Sequence, residues 1–272
     1  MNILDKIVAF KRKEVAQRKE AKPVAVLEQS PMFERSVNSL KQALLEKDAS
    51  GIIAEFKRQS PSAGIINDKV SVDEVTHGYV QAGASGLSVL TDMEFFGGSS
   101  ADLELARETN PKTPILRKDF IIDEYQLLEA KAMGADVILL IAECLDKEQV
   151  TQLSAFAKAL GLDVLMEIHS AEQLEKLNPN IDIVGVNNRN LKTFKTSLEA
   201  SFELAEQIPV EFVKISESGI SNLQAIVALR SQGYRGFLIG ENFMRTADPG
   251  ESCAEFIRKV AYMEDLLHNA IV

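Results

Sequence analysis

Cysteine is scarce in this 272-residue chain: Cys144 and Cys253 stand far apart, with no CxxC or metal-type spacing. A disulfide scaffold is therefore excluded, and the two read as reduced structural thiols of a cytoplasmic protein. Long hydrophobic runs are missing too. The longest, such as Val137 to Ala142, are strand-sized, well short of the ~18 apolar residues of a membrane-spanning helix. Near the N-terminus Asp5 and Lys6 interrupt Ile3, Leu4, Ile7 and Val8, so no signal peptide is expected. Positive charge is in deficit, 30 Lys+Arg against 40 Asp+Glu, a formal −10. That balance argues against nucleic acid or an anionic membrane as a partner, while leaving room for a local basic pocket. GxxxxGK[ST], GxGxxG after the first strand, HExxH and GxSxG are all absent, and the scattered carboxylates form no recognisable metal cluster. What the chain does have is 46% hydrophobic residues, ample for one large core, with 26% charged. Disorder and collagen-like repetition are excluded.

Ile3, Leu4, Ile7, Val8 and Val15 recur at helical spacing and predict an amphipathic opening helix. Pro23 and Pro31 punctuate the next stretch, and a second helix is expected from Phe33 to about Glu46. After Gly51 the texture changes to short apolar runs alternating with segments of helical period, the pattern of βαβ units. Eight strands are expected: Ile52–Phe56, Gly86–Leu90, Ile115–Arg117, Val137–Ile141, Asp163–Met166, Ile183–Val186, Phe212–Ile215 and Phe237–Ile239. Helices are expected between them over Val72–Ala82, Glu124–Met133, Lys147–Leu160, Ala171–Leu177, Leu198–Gln207 and Leu223–Gln232. Gly83, Gly134, Gly161 and Gly233 suit left-handed C-caps at four of their ends. Eight units in this length fit a (β/α)8 TIM barrel over 48–272, with 1–47 as an N-terminal helical extension packed on it. An open doubly wound sheet is the alternative, separable only by strand order. The extension could cover a barrel end or lid the active site.

Active sites of such barrels lie at the C-terminal ends of the strands. Here strand one ends Glu55-Phe56-Lys57, strand three Arg117-Lys118-Asp119-Phe120, and strand five Glu167-Ile168-His169. Strand six ends Asn187-Asn188-Arg189 and strand seven Ser216-Glu217-Ser218-Gly219. A single charged residue at a strand end is ordinarily a solvated loop residue. Repetition at equivalent points converges these groups on one barrel mouth, where lysines and glutamates perturb one another and suit proton transfer. The Ser218-Gly219 loop after strand seven and the Gly240-Glu241 loop after strand eight form a second constellation, the usual phosphate position of this fold. Glu241 is an awkward neighbour for a dianion, and fits if its N–H faces the ligand while its side chain turns away. His77 and His268 read as surface groups, and His169 as a residue that packs behind Glu167 or supports it.

The run Ile53-Ala54-Glu55-Phe56-Lys57-Arg58-Gln59-Ser60-Pro61-Ser62 resembles the first-strand motif of the indole-3-glycerol-phosphate synthase family. The resemblance continues through Leu116-Arg117-Lys118-Asp119-Phe120, Met166-Glu167-Ile168-His169, Gly185-Val186-Asn187-Asn188-Arg189-Asn190-Leu191 and Ser216-Glu217-Ser218-Gly219-Ile220. Ile3-Leu4-Asp5-Lys6-Ile7 is similar to the family's leading helix.

This resemblance implies ring closure, decarboxylation and dehydration of 1-(2-carboxyphenylamino)-1-deoxyribulose 5-phosphate in tryptophan biosynthesis. No cofactor is implied, because the substrate ketone is its own electron sink. Lys118 matches the general acid, Glu167 the base of dehydration, and Lys57 a residue holding the departing carboxylate or protonating the leaving hydroxyl. Glu55 pairs with a lysine, and Asn187 and Glu217 match substrate- or intermediate-contacting positions, with Ser60 and Arg189 as supports. Phe96, Phe120, Leu139 and Ile141 are candidates for the ring pocket, though they serve equally as barrel filling. Ser218, Gly219, Gly240 and Glu241 are candidates for the phosphate. A cytoplasmic monomer or weak homodimer acting on a small phosphorylated substrate is expected. A Schiff-base phosphosugar aldolase and a non-catalytic phosphometabolite-binding barrel are the competing readings.

Overall fold

The computed structural model describes residues 3–190 and 195–271, without the side chains of Leu267, His268, Ala270 and Ile271. The expectations for Leu191 and for the His268 side chain therefore lie outside the described groups. Eight parallel strands form a closed barrel: β1 (Ile52–Phe56), β2 (Gly86–Leu90), β3 (Ile115–Lys118), β4 (Val137–Ile141), β5 (Asp163–Ile168), β6 (Ile183–Asn187), β7 (Val213–Glu217) and β8 (Tyr234–Ile239). They follow one another in chain order round the ring, and β8 closes on β1 with Ile52 opposite Phe237. No reversal of strand order occurs, which eliminates the open-sheet alternative. Gly83, Gly134, Gly161 and Gly233 take φ of 91°, 87°, 76° and 85°, the left-handed turn expected of them where helix gives way to strand.

The period-2 alternation of each strand sorts its residues between two cores. Ile52, Ala54 and Phe56 face the surrounding helices in the outer core, together with residues such as Ile138, Leu140, Val164 and Met166. Ile53, Leu116, Leu139, Leu165, Ile183, Ile215 and Leu238 fill the barrel itself. The inward parity that begins with Ile53 continues to Glu55 and Lys57, and that from Leu116 to Lys118. In the same way Leu165 leads to Glu167, Ile183 to Gly185 and Asn187, and Ile215 to Glu217. Apolar filling at the lower layers thus hands over to ionisable groups at the mouth.

The extension reaches both ends of the barrel. α1 (Ile3–Ala21) buries Leu4, Ile7, Lys11 and Val15, and α2 (Val24–Leu27) starts after Pro23. α3 (Leu40–Leu45) inserts Leu40 and Leu44 into the inner core from below. The helix expected over Phe33–Glu46 is shorter than its periodicity suggested. The Asp136 carboxylate accepts bonds from the Arg35 guanidinium and the Asn38 N–H, both at 2.7 Å, which ties the segment before the helix to the barrel. Ser39 then caps α3 by accepting from the Gln42 N–H. Two further segments also depart from expectation: Ala171–Lys176 is a 3-10 turn, and the Leu198–Gln207 helix contracts to Glu199–Leu204. The loop after β1 carries a small hairpin, Gln59–Ser60 against Gly64–Ile65, that local pattern did not signal.

Candidate active site

The inward-facing strand ends meet in one ion-paired cluster. Lys118 Nζ lies 2.5 Å from Glu217 Oε2 and 3.3 Å from Glu167 Oε2, so a single ammonium bridges β5 and β7. Lys57 Nζ is 2.8 Å from Glu55 Oε1, and the Ser88 hydroxyl donates to Glu55 Oε2. Asn187 Nδ2 donates to Glu167 Oε1 at 2.9 Å, fixing that carboxylate from a third strand. Behind it His169 Nε2 lies 3.6 Å from Glu167 Oε1, and both ring nitrogens are buried with no hydrogen-bond partner. It packs behind Glu167 with its ring facing that carboxylate. His77 is exposed, as expected.

Three carboxylates against two ammonium groups leave the cluster one negative charge in excess, in a region sparsely reached by water. Burial alone would lower the Lys118 pKa, but Glu217, Glu167 and Glu55 together hold it well above the ordinary lysine range. Burial opposes ionisation of Glu55 and Glu167 as well. Lys57 and Lys118 nonetheless keep Glu55 below its usual value, and Lys118 and His169 do the same for Glu167. Glu217 carries the excess. Burial, only partly offset by Lys118, pushes it up to about 7, with Glu167 and Glu55 adding repulsion. Its Oε1 has no hydrogen-bond partner. That oxygen rests over Gly185, where an added Cβ would come within 2.3 Å of it, so β6 needs glycine there for Glu217 to fold flat.

These groups line a cavity of about 450 Å³ at the mouth of the barrel. Every one of the sixteen residues singled out in the sequence borders it, including Ser60, Arg189, Phe96, Phe120, Leu139 and Ile141. Phe96 and Phe120 stand with ring centroids 5.9 Å apart on the β2–β4 side. Across the barrel, Ser218 and Gly219 take φ of 67° and 72°, an unusual conformation for a serine and a tight turn of polar backbone beside the cavity. Gly240 and Glu241 border the cavity next to that turn. The Glu241 carboxylate accepts from Arg245 at 2.6 Å and lies 3.8 Å from Arg189 Nη2, so its charge is met by two guanidinium groups. Arg189 also reaches Ser62 in the loop after β1.

Sequence reasoning missed Arg245, Thr196, Leu90 and the α1 residues Ile3, Leu4 and Ile7, all of which border the cavity. Arg245 was legible as the residue four after Glu241 on one helix face. The α1 residues were visible as an apolar stripe, but a stripe does not say what it covers. Among the described residues no cluster of three or more His, Cys, Asp or Glu groups is disposed to hold a metal. No helix among them is long and apolar enough to cross a membrane.

The family model described as indole-3-glycerol phosphate synthase matches residues 4–256, nearly the whole chain. The chain belongs to this family. It is 50% identical over 259 residues to the indole-3-glycerol phosphate synthase of Bacteroides thetaiotaomicron, covering 95% of this chain and 99% of that one. It is 42% identical over 260 residues to that of Burkholderia ambifaria, covering 93% and 98%. Among solved structures, 3-hexulose-6-phosphate synthase from Salmonella typhimurium superposes with a TM-score of 0.62 at 14% identity, over 78% of this chain and 99% of that one. That likeness is one of fold alone.

Proposed function

We propose that the chain is an indole-3-glycerol phosphate synthase, a carboxy-lyase that closes the ring of 1-(2-carboxyphenylamino)-1-deoxyribulose 5-phosphate and releases carbon dioxide and water. One observation carries the assignment of roles: Lys118 Nζ bridges Glu167 and Glu217 in the same cavity as the Lys57–Glu55 pair. Ring closure asks an aromatic carbon, a poor nucleophile, to attack a ketone. Lys118, held charged by its carboxylate neighbours, donates to the carbonyl oxygen as negative charge develops there. Loss of carbon dioxide from the attacking ring carbon then restores aromaticity. Lys57 holds that carboxylate before it leaves, and Glu55 keeps Lys57 aimed. In the dehydration Glu167, oriented by Asn187, takes a proton from the ring-closed intermediate while Lys57, freed of the carboxylate, protonates the hydroxyl, which departs as water. Glu217 contacts the intermediate and shares its proton with the lysine.

The phosphate rests on the Ser218-Gly219 turn and the backbone of Gly240 and Glu241, opposite the apolar wall of Phe96, Phe120, Leu139 and Ile141. Arg189 and Ser60 brace the loops over the mouth. No step draws on a metal or cofactor. Cytoplasmic residence belongs to the same reading, and the free thiols Cys144 and Cys253 suit a reducing compartment; a monomer or weak homodimer is part of the same proposal.

The test is production of indole-3-glycerol phosphate, followed by absorbance or fluorescence, with no metal added. A folded chain that leaves the substrate untouched sinks the assignment. The Schiff-base aldolase reading requires a neutral amine, and the carboxylates around Lys118 favour the ammonium instead. Borohydride with a ketose phosphate should accordingly trap no adduct.

A further inference from the structure

The buried stripe of α1 runs Leu4, Ile7, Lys11, Val15, placing a lysine where an apolar residue would ordinarily sit. Lys11 is wholly excluded from solvent. Its ammonium lies 2.7 Å from Glu14, 2.8 Å from Asp92 and 2.9 Å from Asp119. Burying an ammonium group is costly unless partners of this kind surround it. Burial alone would lower its pKa, but Asp119 and Asp92 hold it above the ordinary lysine range.

The two buried partners are not arbitrary anchors. Asp92 also accepts from the Phe95 N–H and so caps the short helix Met93–Phe96, which carries Phe96. Asp119 accepts from the Phe120 N–H through the same oxygen that meets Lys11, while its other oxygen takes the Thr91 hydroxyl and Arg117. Lys11 therefore fastens to one point on α1 the two segments that carry the facing rings of Phe96 and Phe120. Ile3, Leu4 and Ile7, one to two turns earlier on the same helix, border the same cavity. In the closed strand order β3 stands opposite β7, and β4 opposite β8. The Ser218-Gly219 turn thus lies across the mouth from Asp119, while Gly240, after β8, is two strands round the ring from the β2 loop that carries Asp92.

We infer that Lys11 is a positioning residue for the aromatic half of the site: it locks α1, Phe96 and Phe120 into one wall for the substrate ring without acting on the phosphate end. The inference rests on the ring-closing reading above.

The experiment compares Lys11→Met, which keeps length and loses charge, with the unaltered chain. It measures KM and kcat for the carboxyphenylamino-deoxyribulose phosphate, inhibition by glycerol 3-phosphate, and thermal unfolding. KM should rise about ten-fold, because two aromatic side chains must be ordered at binding. The glycerol 3-phosphate inhibition constant should stay within about two-fold, as for a site well separated from the substitution. Lys11→Arg, which keeps the charge, should recover part of the loss in KM. If Lys11→Met does not fold, Lys11→Met combined with Asp92→Asn gives the same comparison with the surplus carboxylate removed. An unchanged KM overturns the inference, and so does equal weakening of both ligands, which would mark a general structural role. An unaltered chain with no turnover sinks the ring-closing reading instead, and that result is distinct from either.

Discussion

Two buried charge clusters lie side by side at the mouth of this barrel, and they behave in opposite ways. One surrounds Lys118 with Glu55, Glu167 and Glu217; the other surrounds Lys11 and Arg117 with Asp92, Asp119 and Glu129. Both hold more carboxylates than cations, so charge balance does not separate them. Saturation does. Asp119 accepts from Thr91, Arg117 and the Phe120 N–H besides meeting Lys11. Although burial opposes its ionisation, Arg117 and Lys11 hold it far below the usual carboxylate range. Glu217 keeps one oxygen without a partner, and its proton is labile near neutral pH. Adjacent residues of β3, Arg117 and Lys118, serve the two clusters because successive side chains leave opposite faces of the strand. The same residue types thus make one carboxylate that is fixed in its ionised form and one whose proton is labile, and the number of filled hydrogen-bonding positions at Asp119 and at Glu217 separates the two.

The largest contrast is expected when the two β3 cations are removed in turn. Lys118→Ala should lower kcat about 10³-fold, in the range for a lost general acid. Its unfolding temperature should move less than that of the Arg117 variant, because Glu217 can take up a proton and Glu167 keeps its bond from Asn187. Arg117→Met should do the reverse. It removes the guanidinium that Asp119 and Glu129 share, leaving them only Lys11 and Arg18 as cations, and breaking a buried pair in this way costs about 3–5 kcal/mol of stability. Denaturant unfolding of both variants, beside steady-state kinetics, measures the contrast. Similar stability losses in the two variants would erase the distinction between the clusters.

How much of the molecule could be read in advance depends on what each signal is made of. The barrel was legible because helix–Gly–strand junctions such as Met133-Gly134-Ala135-Asp136 repeat, and φ at Gly134 is a local property of one residue. The mouth residues were legible through parity: Glu55 and Lys57 share the face that Ile53 buries. The Lys11 cluster was not legible. Lys11 lies 81 positions before Asp92 and 108 before Asp119, and a lysine on an amphipathic helix ordinarily reads as solvated. A clue was present in its place within the Leu4, Ile7, Val15 stripe, but only tertiary packing reveals the carboxylates that stabilise it there. The segment before α3 was misjudged for the same reason, since Asp136, about a hundred residues away, holds Asn38.

The smallest expected effect is also the most specific to the unsaturated cluster. Glu217 has a folded pKa of about 7 against an ordinary value of 4.5. A carboxyl whose pKa is raised on folding binds its proton more tightly in the native state than in the unfolded chain. Its contribution to stability is therefore fully present below pH 4.5 and is lost as pH rises through 7. Glu217→Gln keeps the shape of the protonated side chain and cannot ionise. At pH 5 the variant and the parent should unfold at nearly the same temperature, since both present a neutral group to Lys118. At pH 8 the parent must carry the third carboxylate charge in the buried cluster, and the variant should unfold at the higher temperature, by a few degrees. Thermal unfolding at the two pH values tests this directly, and Asp119→Asn serves as the counterpart. Asp119 is held below the usual range, so that variant should lose stability at both pH values. A Glu217→Gln curve parallel to that of Asp119→Asn would mean that Glu217 is a saturated, permanently ionised partner of Lys118, and the contrast between the two clusters would collapse.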